Sequence, residues 1–209
     1  MATTSTETKV ETRPEAEAEP DFPPHWISFD RYEQLVESGV YGSKDPVFLW
    51  QGRLVQKMTE GDRHAFSCCS LTKLLIQLIP DGWAVRADKP IRLTEDSVPE
   101  PDLTIVRGSL RDYGRRKPTP ADISLVIEVS DSSLRLDSEV MLRAYGANSI
   151  PVYWIVNLPG GRVEVFTEPS GPAEVPGYRT RREYGPNEEV PVILDGREVG
   201  RIPVKEIIL

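Results

Sequence analysis

The sequence predicts an α/β (α+β) fold, a mixed β-sheet flanked by helices, and three observations carry that expectation. The chain has 209 residues, 39% of them hydrophobic, enough for one well-filled core and too few for two full domains plus a tail. Segments with helical spacing of apolar residues alternate with β-branched runs in the order helix, strands, helix, strands, helix, strands. Two of those runs, Pro101–Val106 and Leu125–Ser130, are almost wholly apolar apart from one acid each, the pattern of strands buried in a core.

Taken in order, residues 1–24 are Thr, Glu, Ala and Pro with few large apolar side chains. They cannot bury enough surface to offset chain entropy, so an acidic disordered tail is expected there, followed by a folded unit over 25–209. Ser28 is placed to cap a helix running to Ser38, with Phe29, Tyr32, Leu35 and Val36 on one face and Gly39 ending it. Val47–Trp50 and Leu54–Met58, split by Gln51-Gly52, form a hairpin signal. His64–Ile79 carries Phe66, Leu71, Leu74, Leu75 and Leu78 at helical spacing and is closed by Pro80-Asp81-Gly82. Trp83–Arg86 and Pro90–Leu93 are strand-like, and the two acid-bearing strands follow. Asp137–Ala147 reads as a helix with Val140, Met141, Ala144 and Tyr145 toward the core. Val152–Val156 and Arg162–Phe166 are further strands, and the Pro- and Gly-rich remainder suggests a closing hairpin ending in Ile202–Leu209.

Composition narrows the function classes. No run of about 18 apolar residues exists and the N-terminus lacks a basic-then-apolar signal, so no membrane span or secretion is indicated and a cytoplasmic protein is expected. The net charge of −8 argues against nucleic-acid binding through bulk positive charge. Half of that charge lies in residues 1–24, and Arg107, Arg111, Arg115, Arg116 and Lys117 still form a local basic stretch. It reads equally as a solvated loop or a phosphate contact. Cys68 and Cys69 are adjacent in a helical segment, where a disulfide would be strained, so two reduced, partly buried thiols are expected. With only His25 and His64 to join them, a zinc site is not expected. Trp83, Tyr153 and Trp154 read as core aromatics rather than base-stacking rings.

The acids Asp102 and Glu128 carry the chemistry. A carboxylate on a buried strand is costly unless it is paired or binds a metal. Alone, Asp102 also fits a turn residue after Pro101 and Glu128 half of an internal ion pair. Together, on neighbouring core strands, they make an oxygen-ligand pair for a hard cation such as Mg²⁺ or Mn²⁺.

The pattern Pro-Asp, then an acid one strand later, resembles the metal-binding motif of the PD-(D/E)XK nuclease superfamily. Glu100-Pro101-Asp102-Leu103, Val106-Arg107-Gly108, Leu125–Leu134, Asp137, Tyr145 and Ile150–Asn157 resemble one bacterial branch of it, the Uma-type restriction endonuclease family, over nearly everything after residue 25. The resemblance implies a restriction-endonuclease-like fold, a Mg²⁺- or Mn²⁺-dependent endonuclease, DNA as substrate, and Asp102 and Glu128 as metal ligands. His64 matches a histidine common in the family and is a candidate catalytic residue as proton shuttle or phosphate contact, with capping or packing as the plainer role. A double-strand cut needs two sites, so a homodimer is reasonable for an active enzyme.

Two features depart from the family pattern. The superfamily lysine usually stands two residues after the second acid, which here is Ser130; in the Uma-type branch it has migrated to a slot four past an Asp and four before a Tyr, which here is Met141. A thioether carries no charge and donates no hydrogen bond, so cleavage is expected to be feeble or absent while metal binding persists. Arg143 points off that helical face, leaving Arg53, Lys57 and Lys73 as substitute cations to test. Gln51 and Arg53 also stand where the family tends to carry Glu. Three functions therefore compete: a metal-dependent endonuclease, an inactive family member that binds nucleic acid or protein, and an exonuclease or repair-type nuclease on the same scaffold.

Overall fold

The computed structural model describes residues 25–41, 45–58 and 61–209; the acidic tail expected over 1–24 lies outside them. The first helix, α1 (Phe29–Glu37), starts where Ser28 Oγ accepts from the Arg31 amide at 3.3 Å. A hairpin follows, β1 (Val47–Trp50) and β2 (Arg53–Gln56). Its turn puts Gln51 at φ 47° and Gly52 at φ 73°, the left-handed pair that a two-residue hairpin requires. A Cβ on Gly52 would sit 2.3 Å from the Trp26 ring.

The long helix α2 (Asp62–Leu78) leads into β3 (Trp83–Ala87), β4 (Leu103–Arg107) and β5 (Ile123–Ser130). A π-helical segment, Leu136–Met141, continues as α3 (Leu142–Ala147), then β6 (Val152–Asn157), β7 (Arg162–Pro169) and β8 (Tyr178–Tyr184). These strands form one six-stranded sheet in chain order, antiparallel except for β5 beside β6, which are parallel. The helical segment between β5 and β6 makes the crossover that a parallel pair needs. A separate hairpin, β9 (Glu189–Leu194) and β10 (Arg197–Pro203), closes the chain.

Strand alternation gives the sheet two buried faces. Leu103, Ile105, Leu125, Ile127, Val129 and Trp154 face Leu71 and Leu75 of α2 together with Val190, Val192 and Ile202 of the closing hairpin. Val106, Val126, Tyr153, Ile155 and Phe166 face Met141 and Tyr145. Both faces being covered explains why β4 and β5 read as continuous apolar runs.

Three expectations are corrected. Pro90–Leu93 is not a strand: Pro90 has no amide to donate, Asp88 before it takes φ 51°, and only isolated bonds such as Ile91 N to Pro99 O at 3.0 Å hold the segment. The helix expected over Asp137–Ala147 is π-helical in its first half, where the wider turn leaves Val140 40% exposed instead of in the core. The closing hairpin ends at Pro203, beyond which Val204–Glu206 form a 3₁₀ turn. Tyr153 and Trp154 are fully buried as expected, whereas Trp83 is half-buried, with the Arg107 guanidinium 5.6 Å from its ring centre. Cys68 is half-buried and Cys69 exposed. Among the described residues no helix is long and apolar enough to cross a membrane.

Candidate functional site

β4 enters the sheet through Glu100-Pro101-Asp102. Leu103 pairs with Ile127, so one further step of the antiparallel register sets Asp102 against Glu128. The contact is direct: the Asp102 amide donates to Glu128 Oε2 at 3.2 Å. Asp102 Oδ2 in turn accepts from the Val129 amide at 2.6 Å and faces His64 Nε2, in the first turn of α2, at 3.2 Å. The three residues singled out in the sequence, Asp102, Glu128 and His64, thus converge at one end of the β4–β5 pair. They line a cleft of about 310 Å³.

Glu128 is 8% exposed, and Tyr145 donates its hydroxyl to Glu128 Oε1 at 2.7 Å. Burial pushes the Glu128 carboxyl well above the usual carboxylate range, the charges of Asp102 and Asp137 push it further, and the Tyr145 and Asp102 donors pull it back. Asp137, 5% exposed, lines the same cleft. Its Oδ2 accepts from Ser130 Oγ at 2.7 Å and Ser133 Oγ at 2.6 Å, yet burial still holds its carboxyl above the ordinary value. Asp88 is raised by burial and then by the charge of Asp102. The Asp137 carbonyl accepts from Tyr153 OH at 3.2 Å, which ties the π-helical turn to the sheet below it.

Met141, 6% exposed, forms part of the cleft wall, so the slot counted from Asp137 and Tyr145 does face the two acids' cleft and presents a thioether to it. Of the three substitute cations, Lys57 lines the cleft and pairs with Glu100. Arg53 is exposed on the hairpin with its guanidinium 6.0 Å from the Trp26 ring centre, and Lys73 is exposed on α2. Among the described residues Lys57 is the one lysine or arginine on the cleft wall.

Sequence reasoning gave Glu100 no role of its own and used Asp137 only to count a register. The hydroxyls of Ser130 and Ser133, seven and four residues before Asp137, are the signal that this acid turns inward. The basic stretch is largely engaged in structure: Arg107 pairs with Asp195, Arg116 with Asp122, and Lys117 with Glu33, while Arg111 and Arg115 are exposed.

The donor set divides by hardness. Asp102 and Glu128 offer carboxylate oxygen, which suits Mg²⁺ or Mn²⁺, and a cation offsets the Asp102 charge that adds to burial in raising Glu128. Against the expectation that Cys68 stands apart from any metal site, its Sγ lies 3.6 Å from His64 Nδ1, because four residues along a helix return to the same face. His64, Cys68 and Asp102 bring three potential ligand atoms within 4.8 Å of one another.

Comparison with known proteins agrees with the architecture. The solved structure of a putative nuclease belonging to DUF820 from Anabaena variabilis superposes with a TM-score of 0.59 at 12% identity, covering 87% of this chain and 97% of that one. At that identity the likeness is one of fold. No curated protein matches the chain significantly. The model of the Uma2 family, described as "Putative restriction endonuclease", matches residues 29–199, and the chain therefore belongs to the Uma2 family.

Proposed function

We propose that the chain is a divalent-metal-dependent endonuclease that hydrolyses DNA phosphodiesters in the cleft between β4, β5 and the first turn of α2. The observation that carries this reading is the meeting of Asp102 and Glu128, one hydrogen bond apart, at the end of two paired core strands. Their carboxylates would hold Mg²⁺ or Mn²⁺. Bound there, the ion supplies polarisation of a phosphoryl oxygen and a more acidic water.

The chain's own residues do the rest. Tyr145 orients Glu128 through the bond to Oε1, leaving Oε2 toward Asp102. The Val129 amide fixes Asp102 Oδ2. His64, with Nε2 against that same oxygen, would hold or pass a proton in the cleft. Lys57, presented by the hairpin, supplies the positive charge that the family pattern assigns to position 141, and Glu100 steadies its ammonium. A concerted cut through both strands needs two such sites, which a homodimer would supply.

One observation favours a second reading: the apolar Met141 on the cleft wall suits a family member that binds nucleic acid or a protein without cutting. Nicking of supercoiled plasmid in Mg²⁺ or Mn²⁺ separates the two. Endonuclease function requires nicking by the native chain that is lost in Asp102→Ala. Metal binding without nicking selects the non-cutting reading.

A further inference from the structure

We infer that the α2 face beside Asp102 is a second, thiophilic metal site, formed by His64, Cys68 and Asp102, that takes Zn²⁺ or a similarly soft divalent ion. The site itself stands apart from the nuclease reading; only its consequence, that Zn²⁺ displaces the hard cation by claiming Asp102, rests on it.

The geometry starts from helical spacing. His64 and Cys68 are four residues apart on α2, so one face carries imidazole nitrogen and thiol sulfur together. Sγ lies 3.6 Å from Nδ1 and 4.0 Å from Nε2, and Nε2 lies 3.2 Å from Asp102 Oδ2. Zinc bonds of about 2.0–2.1 Å to nitrogen and oxygen and about 2.3 Å to sulfur, set tetrahedrally, separate neighbouring ligand atoms by roughly 3.4–3.6 Å. The nitrogen–oxygen edge is therefore already close to that length. The sulfur edges close with a movement on the order of 1 Å, which rotation of the Cys68 side chain supplies. Three protein ligands, one of each type, leave the fourth position for water. Asp102 is held in place by the Val129 amide at 2.6 Å, so the oxygen ligand is preorganised. The thiol is half-buried, and on binding it gives its proton to solvent as it becomes a thiolate ligand. Glu128, bonded on its far side to Tyr145, is outside this triad, so the hard and soft sites share one ligand and differ in the others.

Co²⁺ titrated into the purified full chain reports the site without any activity assay. A thiolate-to-Co²⁺ charge-transfer band should appear, saturate at one ion per chain and vanish when Zn²⁺ is added. It should be lost in Cys68→Ser and kept in Cys69→Ser and Glu128→Gln. In the unmodified chain, Zn²⁺ at ten times its dissociation constant should slow alkylation of Cys68 by about tenfold while leaving Cys69 unaffected, a readout that holds even if Cys68→Ser folds poorly. No band in the native chain, a band that survives Cys68→Ser, or unprotected Cys68 overturns the site. A native chain that Mn²⁺ does not stabilise against heat, with the Co²⁺ band intact, would instead remove the nuclease reading and leave the soft site standing.

Discussion

Replacing Lys57 by Met should remove the one lysine or arginine that the described cleft wall carries, while leaving both carboxylates in place. Loss of a preorganised charge donor at a reacting centre costs about 10²–10³ in rate. Lys57 is 38% exposed along its side chain and shares its charge with Glu100, so water and the ion pair both weaken its field at the phosphate. The lower end applies, about 10², or ~2.7 kcal/mol of transition-state stabilisation. The companion change is Met141→Lys in the same background. It is nearly volume-conserving, and the lysine stem can follow the apolar wall now lined by the thioether while its head reaches Glu128 and Asp137. The assay is the single-turnover rate of plasmid nicking in Mn²⁺, with Mn²⁺-induced thermal stabilisation measured beside it. Lys57→Met should lose about two orders of magnitude with its metal response intact, and the double variant should recover most of the loss. Native rates in Lys57→Met would refute the assignment of this lysine.

Other outcomes follow from the buried acids. The folded chain keeps Glu128 and Asp137 protonated to a higher pH than the unfolded chain does, so the unfolded state is the first to lose these protons as pH rises. Metal-free stability should therefore fall as pH climbs from the ordinary carboxylate range toward their raised values, and Mn²⁺ should flatten that slope; melting curves across pH with and without Mn²⁺ check this. Tyr145→Phe strips Glu128 Oε1 of its 2.7 Å donor and should cost about 1–3 kcal/mol in urea unfolding, with a smaller loss when Mn²⁺ is bound.

The parts legible in the sequence are those dictated by local pattern. One acid in each of two largely apolar runs announced Asp102 and Glu128, although only Glu128 lies within its strand, β5, while Asp102 stands in the half-buried bend that enters β4. The helices and most strands followed from periodicity. What escaped depended on how separate segments pack. Pro90–Leu93 has strand composition, yet its neighbours offer single bonds rather than a ladder, with Leu93 N meeting Ser97 O at 3.0 Å across a tight loop. Lys57 reaches the cleft because the hairpin docks through a bridge between Leu49 and Val98, a contact across about fifty residues that no spacing rule reveals. The π-helical turn arises where Ser130, Ser133 and Tyr153 draw Asp137 inward, a tertiary pull on an ordinary helical sequence. The nearness of Cys68 to His64 follows from their four-residue spacing on α2, a local signal that the adjacency of Cys68 and Cys69 masks.

The most direct test is the position of Mn²⁺ in crystals of the native chain, read from anomalous scattering. Metal-dependent hydrolysis at this cleft requires a peak coordinated by carboxylate oxygens of both Asp102 and Glu128, and its disappearance in Asp102→Ala. A peak that engages neither acid, or one that persists unchanged in Asp102→Ala, contradicts it.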